Sequence, residues 1–236
     1  MIDICPKTSF SVIEADCIEV AELLKKAGFN VCLLNMANRQ NPGGGVLNGA
    51  GAQEENLFRR SNIFLSLYQF VSYSEEYGIK RNDSHAYPLD KNSGGIYSKS
   101  VTFFRASEKR GYCFLKQPFK LSVVSVPAIN RPKTILVNNE YIISDELIEP
   151  SKEKIRTILR ICGNFNHDCL VLSAFGCGAF KNPPYHMAKL FREVFNESEF
   201  CNKFKLIVFA IYDDHNSRKR HNSNGNLLPF ADVFQD

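Results

Sequence analysis

No apolar run in this 236-residue chain approaches the roughly 18 residues needed to cross a membrane, and the opening MIDICPKTSF lacks the basic start and apolar core of a secretion signal. Both absences point to a protein that is soluble and cytoplasmic where it is made. An excess of one charge is also missing: the net charge of +4 and pI of 8.6 give a mild bias toward anions, without the clustered basic stripe of a dedicated nucleic-acid binder. Eight cysteines occur, yet none form a C-x-x-C pair and most lie in apolar stretches, so reduced, packed thiols are expected. Cys162, His167 and Cys169 lack paired zinc-ligand spacing, and no metal is expected. There is no internal repeat and no low-complexity tract.

What is present is the composition of an ordinary soluble globule, 44% hydrophobic and 23% charged, in a length that suits one α/β domain spanning 1–236. Residues 9–14 alternate like a strand, and 17–28 have helical spacing ending at Gly28. The apolar run 31–36 reads as a strand emptying into the Gly-rich segment 38–51, followed by helical periodicity over 52–70. Residues 72–100 are polar and aperiodic, an irregular connection. Two strands are expected at 101–104 and 121–126, then loop over most of 128–150. The second half alternates clearly: helix 151–163, strand 169–174, glycine loop 175–182, helix 184–196, strand 205–211 and a short helix near 226–234. Continuous apolar strands such as LVLSA and LIVFAI imply burial on both faces, as in a mostly parallel sheet covered by helices.

Two loops carry candidate chemistry. Gly43, Gly44 and Gly45 follow a strand and precede a helix, so their backbone can crowd a ligand, and the helix N-terminus favours an anion. The loop is neither a Walker A motif nor a G-x-G-x-x-G fingerprint, and GGG alone is equally a tight turn. The second loop, Ser173 to Pro184, also leaves a buried strand for a helix; at the carboxyl ends of strands in one sheet the two can face one crevice and hold a diphosphate. Glu54 and Glu55 open the helix after the first loop. They either stabilise its dipole or form an acid/base pair beside the phosphates.

At these residues the chain resembles the microbial type of poly(ADP-ribose) glycohydrolase, a branch of the macrodomain fold. The resemblance rests on GGG followed seven residues later by QEE, within LNMANRQNPGGGVLNGAGAQEENLFRRS. SAFGCGAFKNPP is similar to the family's diphosphate loop, with weaker echoes in GGIYSKSVTFFR, SVVSVPAIN, VFAIYDD and the spacing of Asn226, Phe230 and Phe234. Departures are Pro183, where Asp is common, and the basic segment 217–221, read as a solvated loop.

The resemblance implies a three-layer α/β/α sandwich with a mixed, mostly parallel central sheet. It also implies a metal-independent glycosidase without cofactor that cleaves the ribose–ribose bond of poly(ADP-ribose) and releases ADP-ribose, using Glu55 as catalytic acid/base. Glu54 and Gln53 would orient the distal ribose, Asn38 would hydrogen-bond it, and Gly43, Gly44, Gly45 and Val46 would approach ribose and phosphate. Gly176, Cys177, Gly178, Ala179 and Phe180 would wrap the diphosphate. Asp16 would take the adenine amino group, or serve as N-cap of helix 17–28, or both. Phe175, Phe230 and Phe234 are read as core aromatics, and Cys177 as a packed thiol rather than a nucleophile. The partners implied are ADP-ribose, its polymer or an ADP-ribosylated protein, with a monomeric enzyme and no membrane. Two alternatives stay open: a hydrolase of single ADP-ribosyl groups, and a non-catalytic ADP-ribose reader.

Overall fold

A computed structural model describes residues 7–213 and 217–235. Cys5 and positions 214–216 of the last loop lie outside them. Strand β1 (Ser9–Ile13) leads to helix α1 (Cys17–Lys26), β2 (Val31–Met36), α2 (Gln53–Arg60) and α3 (Ile63–Leu67). Strands β3 (Ile96–Arg105) and β4 (Phe114–Val126) follow, then β5 (Thr134–Val137), β6 (Glu140–Ile143) and α4 (Asp145–Asn164). The chain ends with β7 (Cys169–Leu172), α5 (Pro184–Phe195), β8 (Leu206–Ala210) and α6 (Leu227–Phe234).

One six-stranded sheet has the order β1-β8-β7-β2-β4-β3, parallel throughout except for β3, which runs antiparallel to β4 at the edge. Alternation along β2 shows why the apolar runs are continuous. Val31 and Leu33 pack with Ile18, Ala21, Leu57 and Ile63 on one side, and Cys32 and Leu34 with Ile158, Met187 and Phe191 on the other. Helices α1 to α3 therefore form one outer layer and α4 to α6 the other, the expected mixed α/β/α sandwich. Phe175, Phe230 and Phe234 are core residues, as read from their spacing.

Four local readings are corrected. The expected helix 52–70 is broken at Ser61, which is extended (φ −145°, ψ 175°). Ser61 Oγ donates to the Leu57 carbonyl at 2.7 Å, and Asn62 pairs through backbone and side chain with Thr102 of β3, so local polar bonds outcompete helix propagation. The stretch 128–150 is not mostly loop: β5 and β6 form a hairpin whose turn residues, Asn138 and Asn139, both have positive φ (49° and 64°). Asn-Asn supplies the left-handed pair that a tight hairpin demands. Helix α4 starts at Asp145 rather than 151, with Pro150 inside it as the sixth residue, where its missing N–H removes one bond to the Glu146 carbonyl without ending the helix. Finally, β3 and β4 begin well before 101 and 121: β3 starts at Ile96, with Ile96 and Ser98 buried, and β4 starts in a largely exposed stretch from Phe114.

Candidate active site

Strands β2 and β7 are neighbours, and the chain leaves the carboxyl end of each through a glycine loop. A cleft of about 880 Å³ opens there, a size suited to a nucleotide-like ligand. Its lining includes Asp16, Asn38, Gln53, Glu54, Glu55, Gly176, Gly178, Ala179 and Phe180. Gly43, Gly44, Gly45, Val46 and Cys177 do not line it.

Gln53 acts where sheet pairing ends. The β7 register stops opposite Leu33, and beyond it the Gln53 amide takes the place of a neighbouring strand, donating to the Leu34 carbonyl at 2.6 Å and accepting from Met36 N–H at 2.9 Å. This fixes the first turn of α2 against β2.

The adjacent glutamates face different partners. Glu54 Oε2 accepts the N–H of Asn38 at 2.7 Å, and Oε1 accepts the N–H of Gly43 at 3.1 Å and the Asn35 amide at 3.4 Å. Burial pushes the Glu54 carboxyl up to about 8, against these donors, which favour its ionised form, while the Glu55 charge pushes it further up. Glu55 has Oε1 fixed by the N–H of Gly45 at 2.9 Å, whereas its buried Oε2 has no hydrogen-bond partner among the described residues. A carboxyl held by one oxygen and free at the other, on a cleft wall, is placed for proton transfer to a bound substrate.

The two glycine loops divide the work differently from the sequence expectation. In the first, Gly44 and Val46 donate N–H to Asn41 and Gly43 carbonyls, and Gly43 and Gly45 donate to the two glutamates. All four N–H groups of this quartet are engaged within the protein, and the loop seats the carboxylates. Gly44 at φ 54° lies so near Glu55 that a Cβ there would collide with Oε1. In the second loop, the N–H groups of Gly178, Ala179 and Phe180 donate to no group among the described residues. Three successive free N–H groups on the cleft wall have the arrangement that can take an anion. Asn182, 1% exposed, holds that loop by donating from Nδ2 to the carbonyls of Ile129 (2.8 Å) and Gly176 (3.1 Å).

Asp16 is the N-cap of α1: Oδ1 accepts N–H of Ile18 and Glu19, each at 3.0 Å, a cap of about 1 kcal/mol. Its Oδ2 meets Arg60 Nη1 at 2.5 Å, and Arg60 is itself buried. Asn38 Oδ1 accepts N–H of Gln40 and Asn41 and so shapes the loop. Burial holds the Cys177 thiol far above its ordinary value, in keeping with a packed side chain. Sequence reasoning missed Arg60, Asn35, Asn182 and the tip of the β3–β4 hairpin, whose Lys109 sits 4.3 Å over the Tyr212 ring at the cleft. Arg60 was visible only as part of an amphipathic helix, and the hairpin tip lies beyond an aperiodic segment. Of the segment 217–221 expected to be a solvated loop, Arg218, Lys219 and Arg220 are exposed, whereas Ser217 is buried against Asp213 and the His221 ring meets the Cys177 carbonyl at 2.9 Å.

Fold and cleft together define a macrodomain-like α/β/α protein with a carboxyl group on the wall of a cleft that also carries free backbone N–H groups. Residues 5–106 match the family model of the microbial-type PARG catalytic domain. The whole fold is similar to poly(ADP-ribose) glycohydrolase from Thermomonospora curvata bound to the inhibitor ADP-HPD, with 28% identity, 96% of this chain and 79% of that chain covered, and a TM-score of 0.74. It is also similar to the Deinococcus radiodurans enzyme in complex with ADP-ribose, with 26% identity, 98% and 85% covered, and a TM-score of 0.72. No curated protein sequence matches the chain. The resemblance read from the first loop thus extends in fold across nearly the whole chain. Among the described residues no helix is long and apolar enough to cross a membrane.

Proposed function

We propose that this chain, acting as one domain, hydrolyses the O-glycosidic ribose–ribose bond of poly(ADP-ribose) and releases ADP-ribose. One observation carries the reading: Glu55 is anchored through Oε1 and unpartnered at Oε2 on the wall of the cleft that also holds the free N–H groups of Gly178, Ala179 and Phe180. The diphosphate sits on those N–H groups, which fixes the distal ribose with its anomeric carbon at Glu55. Glu55 Oε2 gives its proton to the departing oxygen as the C–O bond breaks, leaving an oxocarbenium-like ribosyl centre and a carboxylate. Water adds to that centre, and its proton returns to Glu55. Glu54 positions the reaction by tying Asn38 and Gly43 to α2. Asp16 reads the adenine amino group with the Oδ2 edge it shares with Arg60.

The similar bacterial enzymes, named as poly(ADP-ribose) glycohydrolases and seen with ADP-ribose or an inhibitor, favour this substrate. We place the protein in the cytoplasm, a reading supported by its described cysteines being free thiols, five of the seven buried or partly so, and we take it to act as a monomer. The test is incubation of metal-free protein with labelled poly(ADP-ribose) and, in parallel, a mono-ADP-ribosylated protein. Release of ADP-ribose from the polymer supports the proposal. Release only from the mono-modified protein makes this a hydrolase of single groups, and binding without release makes it a reader.

A further inference from the structure

The peptide between Cys177 and Gly178 is held from outside its own loop. Its carbonyl accepts from His221 Nε2 at 2.9 Å and from Asn222 Nδ2 at 3.4 Å, both on the connection between β8 and α6. A carbonyl can only accept, so Nε2 is a ring nitrogen that carries hydrogen. In a trans peptide the C=O and the following N–H point in opposite directions, so turning the Cys177 oxygen toward His221 turns the Gly178 N–H away from it. The surroundings match: Cys177 is buried off the cleft, whereas Gly178 lines it, with an N–H that donates to no group among the described residues. The connection that carries His221 is itself braced. Asn222 Oδ1 accepts the Lys219 N–H at 2.8 Å, and its Nδ2 also reaches Asn226 Oδ1 at 2.9 Å. Asn226 donates from N–H to Asp213 Oδ1 at 2.7 Å and from Nδ2 to Ser217 Oγ at 3.0 Å, and Ser217 Oγ donates to Asp213 Oδ1 at 2.9 Å. Asn222 and Asn226 are buried, which shields these bonds from water.

We propose that His221, assisted by Asn222, is a positioning residue for the diphosphate: it locks the Cys177–Gly178 peptide with the Gly178 N–H toward the cleft. His221 does not line the cleft and acts through that peptide. The inference rests on the proposed ADP-ribose reading of the site. Within the second loop, no backbone N–H among the described residues bonds the Cys177 carbonyl; the turn closes instead on the carbonyls of Ala174, Gly176 and Gly178. Without His221 the peptide can rotate, at little steric cost beside a glycine, and present a carbonyl oxygen to the phosphates where a donor is needed.

Calorimetry of ADP-ribose binding to the full chain, with the melting temperature of the ligand-free protein recorded alongside, tests the role. His221→Phe keeps a ring and removes the donor, whereas His221→Gln returns an amide N–H near the place of Nε2. His221→Phe should bind ADP-ribose about tenfold more weakly, the loss of one hydrogen bond to a charged group, with the ligand-free melting temperature lowered by no more than about 4 °C. His221→Gln should bind within about threefold of the wild type, a rescue that a merely structural role for the ring would not give. His221→Leu serves the same comparison if His221→Phe does not fold. Equal affinity in wild type and His221→Phe, or a His221→Gln as weak as His221→Phe, overturns the positioning role and leaves the hydrolase reading standing. Absence of ADP-ribose binding in the wild type overturns the hydrolase reading itself, and the positioning role with it.

Discussion

Glu54 directs both carboxyl oxygens at donors within the protein, whereas Glu55 directs one at Gly45 and leaves the other buried without a partner among the described residues. Their substitutions should therefore separate. Glu55→Gln keeps the size and one acceptor but cannot deliver and recover the proton, so turnover should fall by about 10² to 10⁴-fold while the ADP-ribose dissociation constant changes little. Glu54→Gln should be visible in stability. Because burial raises the Glu54 carboxyl from 4.5 to about 8, the folded state holds a proton that the unfolded chain releases. Its stabilising contribution is complete below about 4.5 and is lost as pH rises through about 8. Melting temperatures followed from pH 5 to 8 should show the wild type declining relative to Glu54→Gln; parallel curves would place the Glu54 proton elsewhere. At this scale the sequence already marked the two acids but not their division of labour, since adjacent residues on a helix differ in direction, and direction depends on which N–H groups the glycine loop offers. Cys177 was legible as a packed thiol from its apolar setting, and Cys177→Ala should leave turnover within about threefold, measured on the same polymer substrate.

Among the elements, the loops after β2 and β7 set two different requirements. A Cβ at Gly45 would lie 2.8 Å from Ala50 Cβ, and the shift needed to relieve it moves the N–H that holds Glu55. Gly45→Val should lower kcat more than it weakens ADP-ribose binding. Asn182→Ala removes the side-chain donor that ties the second loop to Ile129 and leaves that carbonyl without its bond, at a cost of about 1 kcal/mol, while the Gly176 carbonyl keeps the Asn182 backbone N–H. Its principal effect should be weaker ADP-ribose binding by calorimetry, with the melting temperature lowered as well. The buried parallel strands and the helices that cover them were legible because burial on both faces leaves uninterrupted apolar runs. The β5–β6 hairpin was not, although its Asn-Asn turn was a usable signal, because the apolar side chains of β5 are exposed and pack against no core. Pro150 likewise read as a boundary when it is a tolerated member of α4. The break at Ser61 depends on Thr102, some forty residues away in sequence, which no local period reveals.

For the whole molecule, sheet order is what assembles the site. Placing β7 beside β2 brings the loop that seats Glu55 next to the loop that offers free N–H groups, although they are more than a hundred residues apart in the chain. The pairing of two glycine loops could be anticipated from the alternating strands and helices, but the full length of β3, its place at the sheet edge and the hairpin tip that reaches Tyr212 could not. Because a ligand spanning both loops binds the folded state alone, ADP-ribose at about 100 times its dissociation constant should raise the melting temperature by roughly 5–10 °C. The most direct test of the account is a paired measurement on wild type and Glu55→Gln, recording the ADP-ribose dissociation constant and ADP-ribose release from labelled poly(ADP-ribose) in one buffer. The account predicts similar affinities with turnover in the wild type alone; comparable release by Glu55→Gln would contradict it.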